Sequence, residues 1–311
     1  MKIKQNIFIV LSGLFLLVSC QREQEHLFSE SPAQRTQNGI SALKKILTSS
    51  ENGWKMIYFP NVDKNKFSDI NFNVYSHESS LLFLGNETGF GGYTFWVKFS
   101  ENGTLEMKSD ISQEARNNSV FSDYGITLVS GVQLSFITKN YIHGLVNPSF
   151  LGASDFIYSH TDNDGKLVFK TTTHSTEDSE YIVLEKIKNG TDWQMQIDNI
   201  AEQKTLFESW QKPILTIKNN AEEVVFQSNY ARGDYFNHNS RYALFIKDHE
   251  PNSFSPVYFS GVGSGYTYTE NGMLFYAGLK YNDEVRFTDF KRSGDKFTAT
   301  VNGYTAEITQ Q

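Results

Sequence analysis

Short runs of apolar residues, each ended by turn residues, cover most of the chain. Trp54–Phe59 is followed by Pro60, and Phe95–Phe99 leads through Glu101–Thr104 to Leu105–Met107. The Asn-Gly pair inside that turn tolerates the positive φ angle that a tight hairpin requires. Similar turn dipeptides follow at Asp164-Gly165, Asn189-Gly190, Asn271-Gly272, Ser293-Gly294 and Asn302-Gly303. This pattern predicts a mainly β (α+β) fold, with antiparallel strands in a meander or sandwich-like body.

Two stretches have the spacing of amphipathic helices. After Ser31 and Pro32, the apolar residues Ile40, Leu43, Ile46 and Leu47 recur three or four positions apart, which predicts a short N-terminal helix. A second helix is predicted over Ile197–Lys212, and this segment could also serve as a linker. We therefore expect a helix plus β-rich domain over residues 32–200 and a C-terminal β-rich domain over 201–311, with a boundary defined to within tens of residues.

The N-terminal residues have the pattern of a bacterial signal peptide. Lys2 and Lys4 precede the apolar run Ile7–Val18, which is shorter than the roughly 20 residues that a membrane-spanning helix needs. The run ends in Leu17-Val18-Ser19-Cys20, which resembles the lipobox whose cysteine receives a diacylglycerol. We expect a signal peptide over residues 1–19, lipidation of Cys20 and a flexible tether over 20–31. The alternative is that Cys20 is one more small apolar residue of the signal.

The residues after Cys20 bear on the location of the protein. Gln21–Glu25 is rich in Glu and has no Asp directly after the cysteine, similar to the surface-export signal of Bacteroidetes lipoproteins. The expected location is the outer membrane, with the lipid on Cys20 as the anchor and the body facing the cell exterior. A periplasmic orientation stays open, because Glu-rich tethers also occur as disordered spacers.

The composition and net charge of the chain limit the classes of partner and of fold stabilisation that it can have. The chain has 39% hydrophobic and 14% aromatic residues, enough for a large core, and a formal net charge of -7 with a pI of 5.6. Nucleic acid is excluded as a partner, because phosphate binding needs clustered Lys and Arg residues. Cys20 is the single cysteine, so the body that follows it can contain no disulfide.

The sequence contains none of the common motifs for catalysis, cofactor binding or metal binding. The histidines, which lie at His26, His77, His143, His160, His174, His238 and His249, never have the spacing that places two metal ligands on one helical face. With Gly165 at the sixth position of a calcium loop, His160 and Thr171 fall where acidic ligands are required. A Gly-x-Ser-x-Gly elbow and a phosphate loop are also absent. We predict neither a cofactor nor a metal, and a site assembled from distant strands stays open.

Aromatic residues are the remaining candidates for binding. The tryptophans and most of the tyrosines are expected in the core. Tyr266 and Tyr268 are the speculative ligand-binding residues, because the small residues Gly263–Gly265 precede them as in adaptable binding loops.

Several segments of the chain resemble an uncharacterised family of Bacteroidetes outer-membrane lipoproteins. They are Gly53-Trp54, Gly91–Phe95, Phe99–Thr104, Asn140–His143, Gly152–Phe156, Ile182–Leu184 and Tyr258–Gly272. The resemblance covers most of the chain from about Ser31 onward. It implies a lipobox, two β-rich halves and genes beside a TonB-dependent transporter, its lid lipoprotein and a zinc-peptidase-like lipoprotein, without an established activity. One departure is that Glu185-Lys186 stands where relatives tend to have Gly-Lys-Lys.

Two functional hypotheses follow. The first is a non-enzymatic cell-surface accessory that binds an unknown nutrient ligand, or a TonB-dependent transporter complex, for an outer-membrane uptake system. The second is a surface-anchored hydrolase with a site assembled from scattered Asp, Glu and His residues. The missing catalytic motifs favour the first hypothesis. No motif identifies the ligand as a glycan, a peptide, haem or a protein.

Overall fold

Strands dominate the secondary structure, which confirms the predicted mainly β class. The computed structural model describes residues 30–60, 74–75, 91–148, 150–171, 181–228, 230–231, 241–247, 258–259 and 261–311. The chain divides into two units, Met1–Gly39 and Ile40–Gln311, and every strand of the described residues lies in the second. Cys20, the signal peptide and all histidines except His143 and His160 lie outside the described residues.

Helices are few in the described part of the chain. They are α1 (Pro32–Thr48), α2 (Gln113–Asn117), α3 (Trp193–Glu208) and a 3-10 helix over Tyr141–Gly144. The predicted N-terminal helix is confirmed, and the Ser31 hydroxyl accepts the Gln34 N–H at 3.2 Å at its start. The second predicted helix exists but begins and ends earlier than predicted, at Trp193 and Glu208. Asp192 caps its start by accepting the Gln194 N–H at 2.8 Å. Within the described ranges, no helix has the length and apolar character needed to cross a bilayer.

Eight antiparallel strands close into a barrel. They are β1 (Trp54–Phe59), β3 (Tyr93–Phe99), β4 (Thr104–Ser109), β5 (Val120–Leu128), β6 (Val132–Phe136), β7 (Asp155–Thr161), β8 (Leu167–Thr171) and β9 (Tyr181–Lys186), while β2 (Val74–Tyr75) lies outside the barrel. Each barrel strand pairs with the next, and β9 pairs back with β1. The predicted turn at Asn102-Gly103 joins β3 to β4, with Gly103 at φ 88°. The meander is confirmed, and its closure is a feature that the sequence did not predict.

Side chains fill the interior of the barrel. Inward-facing residues of all eight strands form one hydrophobic cluster, and Leu43 and Leu47 of α1 pack onto it. Trp54 belongs to this cluster, and its Nε1 donates to the Leu47 carbonyl oxygen at 2.7 Å. Of the other two predicted core positions of α1, Ile46 packs against the cluster and Ile40 is only partly buried. The barrel is therefore a packed core.

A nine-stranded antiparallel sheet forms the C-terminal part of the fold. Its strands are β10 (Pro213–Lys218), β11 (Val224–Gln227), β12 (Tyr230–Ala231), β13 (Tyr242–Ile246), β15 (Gly261–Thr269), β16 (Gly272–Lys280), β17 (Arg286–Ser293), β18 (Lys296–Val301) and β19 (Tyr304–Gln310), while β14 (Tyr258–Phe259) pairs with β2. Their order in the sheet is β11-β10-β19-β18-β17-β16-β15-β13-β12. The turn predicted at Asn302-Gly303 joins β18 to β19, with φ angles of 48° and 80° at the two residues.

Helix α3 packs against the nine-stranded sheet and the outer face of the barrel. Its Ile200 and Phe207 share a hydrophobic cluster with Phe297 of the sheet and with Trp96, which projects outward from β3. The chain changes from barrel to sheet between β9 and β10, with α3 in the connection. The predicted domain boundary near residue 200 falls in this connection, and it stays a prediction.

Gly91 and Gly92 join the barrel to the nine-stranded sheet. The Gly92 N–H donates to the Tyr266 carbonyl oxygen at 3.0 Å. A Cβ atom on Gly91 would lie 2.2 Å from the Arg241 carbonyl oxygen, and one on Gly92 would lie 2.6 Å from the Phe59 ring. A side chain on Gly91 would therefore push the barrel away from Arg241, next to β13 of the nine-stranded sheet, whereas one on Gly92 would displace the Phe59 ring of β1.

Candidate functional site

A cleft of about 310 Å³ lies between the outer face of the barrel at β1 and β9, the start of α3 and the nine-stranded sheet. It is lined by Lys55, Glu185, Lys186, Ile187, Lys188, Thr191, Gln196 and Glu270, and we name it the Lys55 cleft. Small-molecule sites usually measure roughly 300–1,000 Å³. The Lys55 cleft therefore has room for a small ligand.

Lys55 lies in the cleft because of the alternation along β1. Trp54 and Met56 point into the barrel, so the side chain of Lys55 points outward. In the strand register it faces Glu185 of β9, and its Nζ lies 3.7 Å from Glu185 Oε2. The same Nζ lies 3.1 Å from Glu270 Oε1, at the turn between β15 and β16. Lys55 thus connects the outer face of the barrel to the nine-stranded sheet.

Gln196 fixes the inner wall of the Lys55 cleft. Its Oε1 accepts from Trp96 Nε1 at 2.8 Å, and its Nε2 donates to Glu270 Oε1 at 3.1 Å. The indole nitrogen can only donate, so the oxygen of the Gln196 amide must face Trp96 and its amino group must face Glu270. Glu270 Oε1 therefore accepts hydrogen bonds from both Lys55 and Gln196.

The turn at Asn189-Gly190 forms the rim of the cleft. Asn52 Nδ2 donates to the carbonyl oxygens of Lys188 and Thr191 at 3.1 and 2.6 Å. Gly190 has a φ of 81°, a conformation that residues with a Cβ rarely adopt. These contacts hold Lys188 and Thr191 in place before any ligand binds.

Most of the side chains that line the Lys55 cleft are polar groups suited to binding a ligand. Its described lining supplies ammonium, carboxylate, amide and hydroxyl groups and contains no Ser, Cys or His. Both of its carboxylates already contact Lys55. Across the described ranges as a whole, no three His, Cys, Asp or Glu side chains are arranged to hold a metal ion.

A second group of polar residues is buried where the barrel meets the sheet. Arg241 Nη1 donates to Asp110 Oδ2 at 2.8 Å and to the Gly92 carbonyl oxygen at 2.7 Å, and Nη2 donates to the Asp110 carbonyl oxygen at 3.1 Å. The guanidinium also lies 4.3 Å from the centre of the Tyr93 ring. Burial disfavours the charged form of Arg241, but the charge and hydrogen bond of Asp110, together with Tyr93 and Tyr268, outweigh burial and raise the pKa of Arg241.

Tyr266 and Tyr268 belong to this buried group. Each is 1% exposed, and they lie in strand β15 and not in a loop. Burial raises the pKa of both hydroxyls. The Tyr268 hydroxyl donates to Glu208 Oε1 at 3.4 Å, and burial lowers the pKa of the neighbouring Lys204. Ligand binding by the two tyrosines stays a prediction, and it would require access to a region that protein side chains now fill.

The residues of the Lys55 cleft were not singled out from the sequence. Lys55 and Glu185 are ordinary outward-facing charges on strands, and Glu270 lies in a turn. Lys55 and Glu270 are 215 positions apart, so no local spacing connects them. The signal that the sequence does contain is the alternation of β1, which places one lysine among buried aromatic residues.

Comparison with known proteins gives one match. The family model described as "Domain of unknown function (DUF4302)" matches residues 24–294, which include both sheets up to the start of the turn between β17 and β18. No curated protein and no solved structure shows significant similarity to the chain.

Proposed function

The chain belongs to the DUF4302 family, and from this premise we propose that it is a lipid-anchored, non-enzymatic binding protein of an outer-membrane nutrient-uptake system. In this proposal Cys20 carries the lipid, the body faces the cell exterior, and a small polar ligand binds in the Lys55 cleft. The resemblance to Bacteroidetes lipoproteins encoded beside TonB-dependent transporters supports the setting. That transporter complex is the proposed partner.

The observation that carries the proposal is the preformed polar wall of the cleft. Hydrogen bonds of 2.8 to 3.1 Å join Lys55 to Glu270, Glu270 to Gln196, and Gln196 to Trp96. Gln196 is only 9% exposed. Fixed donors and acceptors lower the entropy that a site loses on binding. The other side of this wall is open space, so a ligand can enter the cleft without rearranging the protein.

The interior of the barrel leaves no room for a ligand, which also favours the Lys55 cleft as the binding site. In many proteins with eight antiparallel strands, a ligand enters the barrel interior. Here large side chains such as Phe95, Phe156 and Phe169 occupy that interior, and each is at most 2% exposed. A ligand would need to displace this core, whereas the Lys55 cleft is already open.

Binding to glycan and peptide libraries by the purified full-length protein tests the proposal. Thr191→Trp should fill the cleft and abolish binding, while Thr127→Trp, at an exposed site on the outside of β5, should leave binding unchanged. Thermal unfolding of both variants controls for folding. Equal binding by Thr191→Trp and the parent protein would show that the ligand binds elsewhere.

The same assay separates binding from turnover. Each ligand that binds is incubated with the protein, and its products are analysed by mass spectrometry, with and without a chelator. We expect stoichiometric binding with the ligand unchanged and no effect of the chelator. Turnover that is lost when one Asp, Glu or His is replaced would favour the hydrolase hypothesis.

A further inference from the structure

We propose that the ligand of the Lys55 cleft is an uncharged saccharide, whose hydroxyl groups bind to the carboxylates of Glu185 and Glu270 and to the ammonium of Lys55. This inference rests on the proposed function, since it assigns a chemical class to the ligand of the same cleft. The proposed function requires an open cleft with a fixed wall, whereas this inference concerns the charge and the hydrogen-bonding groups of the ligand.

One ammonium and two carboxylates meet in the cleft. Lys55 Nζ lies 3.1 Å from Glu270 Oε1 and 3.7 Å from Glu185 Oε2. Lys55 and Glu185 face each other in the register of β1 and β9, and Glu270 reaches them from the turn between β15 and β16. The three side chains are 21%, 47% and 28% exposed in the order Lys55, Glu185, Glu270, so a ligand in the cleft can contact each of them.

This mixture of charges disfavours a ligand that carries a net charge. A cation paired with Glu185 or Glu270 would lie close to the Lys55 ammonium. An anion paired with Lys55 would lie close to both carboxylates. Like charges a few ångström apart repel each other, and the repulsion grows where the site excludes water. An uncharged ligand avoids both repulsions.

The two carboxylates have acceptor oxygens that the protein does not use. Glu270 binds Lys55 and Gln196 through Oε1, and Glu185 contacts Lys55 through Oε2. Among the described residues, Glu270 Oε2, Glu185 Oε1 and the Thr191 hydroxyl form no hydrogen bond. A ligand of this cleft therefore needs uncharged donors that can reach two carboxylates.

Hydroxyl groups match these requirements better than amide groups do. A hydroxyl donates one hydrogen bond and accepts up to two, so the same ligand oxygen can donate to a carboxylate and accept from Lys55. An amide N–H can only donate. Neighbouring hydroxyls on a sugar ring repeat the donor and acceptor pair over a short distance, and hydrogen bonds to ionised groups are the stronger ones. These properties favour a saccharide over a peptide.

An array of neutral glycans tests the inference with the full-length protein, and titration calorimetry measures the affinity of each saccharide that binds. We expect binding that changes less than about twofold between low and high salt, because no ligand charge is neutralised. Monodeoxy analogues of that saccharide each lack one hydroxyl. Loss of a hydroxyl that contacts a carboxylate should weaken binding about tenfold or more.

Charged forms of the same saccharide test the mixture of charges. The uronic acid form carries a negative charge and the amino-sugar form a positive one, and each should bind about tenfold more weakly than the neutral saccharide. Lys55→Gln removes the ammonium and keeps a polar side chain. The amino-sugar form should bind this variant about tenfold more tightly than it binds the parent protein, a gain that damage to the fold would not produce.

A matched pair of glutamate variants assigns the effect to the cleft. Glu185→Gln keeps the size of the side chain and removes its charge, and it should weaken binding of the neutral saccharide about threefold to tenfold. Glu202→Gln, on α3 and outside the cleft, also removes one partner of a surface ion pair, with Arg292, and should have no effect. Thermal unfolding of each variant shows that it is folded.

The outcomes separate the inference from the proposed function. A library peptide that binds, with binding lost in Thr191→Trp and with no saccharide bound, would leave the binding site in place and overturn the saccharide. A charged form that binds the parent protein more tightly than the neutral form would also overturn it, as would equal binding by Glu185→Gln and Glu202→Gln. Failure of every glycan and peptide to bind the parent protein would count against both proposals.

Discussion

The buried ion pair between Arg241 and Asp110 can be tested by replacing Asp110 with Asn. Arg241 is 1% exposed and Asp110 is 2% exposed, so the variant leaves a buried guanidinium without its carboxylate. Removing one partner of a buried pair usually destabilises a protein by about 3–5 kcal/mol. The carbonyl oxygens of Gly92 and Asp110 still accept from Arg241, so we expect a loss of about 3 kcal/mol, the lower end of that range.

Urea unfolding followed by tryptophan fluorescence measures this loss in the purified protein. Asp123→Asn, at an exposed position of β5, is the matched control and should change the free energy of unfolding by less than about 0.5 kcal/mol. The double variant Asp110→Asn with Arg241→Met removes both charges and should regain most of the stability. A loss below about 1 kcal/mol for the single variant, or no recovery in the double variant, would refute the argument from the unpaired charge.

Four further predictions follow from the structure and the proposal. Leu43→Ala should destabilise the protein by about 2–5 kcal/mol in urea unfolding, whereas Leu128→Ala, at a position that is 49% exposed, should have a small effect. Gly92→Ala should lower stability by about 1–3 kcal/mol in the same assay, because its Cβ would meet the Phe59 ring. Burial raises the pKa of Tyr93 to about 12, so its contribution to stability should be complete below the unfolded pKa of about 10 and be lost as the pH rises towards 12. A component of the tyrosinate absorbance that Tyr93→Phe removes, and that rises at a lower pH without unfolding, would contradict this. Cys20→Ala should release the protein from the membrane fraction or leave it as uncleaved precursor, and normal processing and retention on immunoblots would be the contrary result.

Local structure was largely determined by the sequence, because its signals act over a few residues. The turn at Asn302-Gly303 was predicted from two residues that tolerate positive φ angles, and both have them. Helix α1 was predicted from a cap and an apolar stripe of one helical period, and it covers Pro32–Thr48. The alternation of β1 likewise separates its inward from its outward residues.

The tertiary structure alone decided which of these local elements meet. The barrel closes when β9 pairs with β1, two strands separated by more than 120 residues, and no pattern within either strand selects that partner. Arg241 and Asp110 are 131 positions apart, and Lys55 and Glu270 are 215 apart. Their sequence surroundings resemble those of any charged residue near a strand. The first pair is buried and forms a structural contact, whereas the second pair lines the wall of an open cleft. Long-range packing makes this difference, because it decides which charges lose water and which retain it.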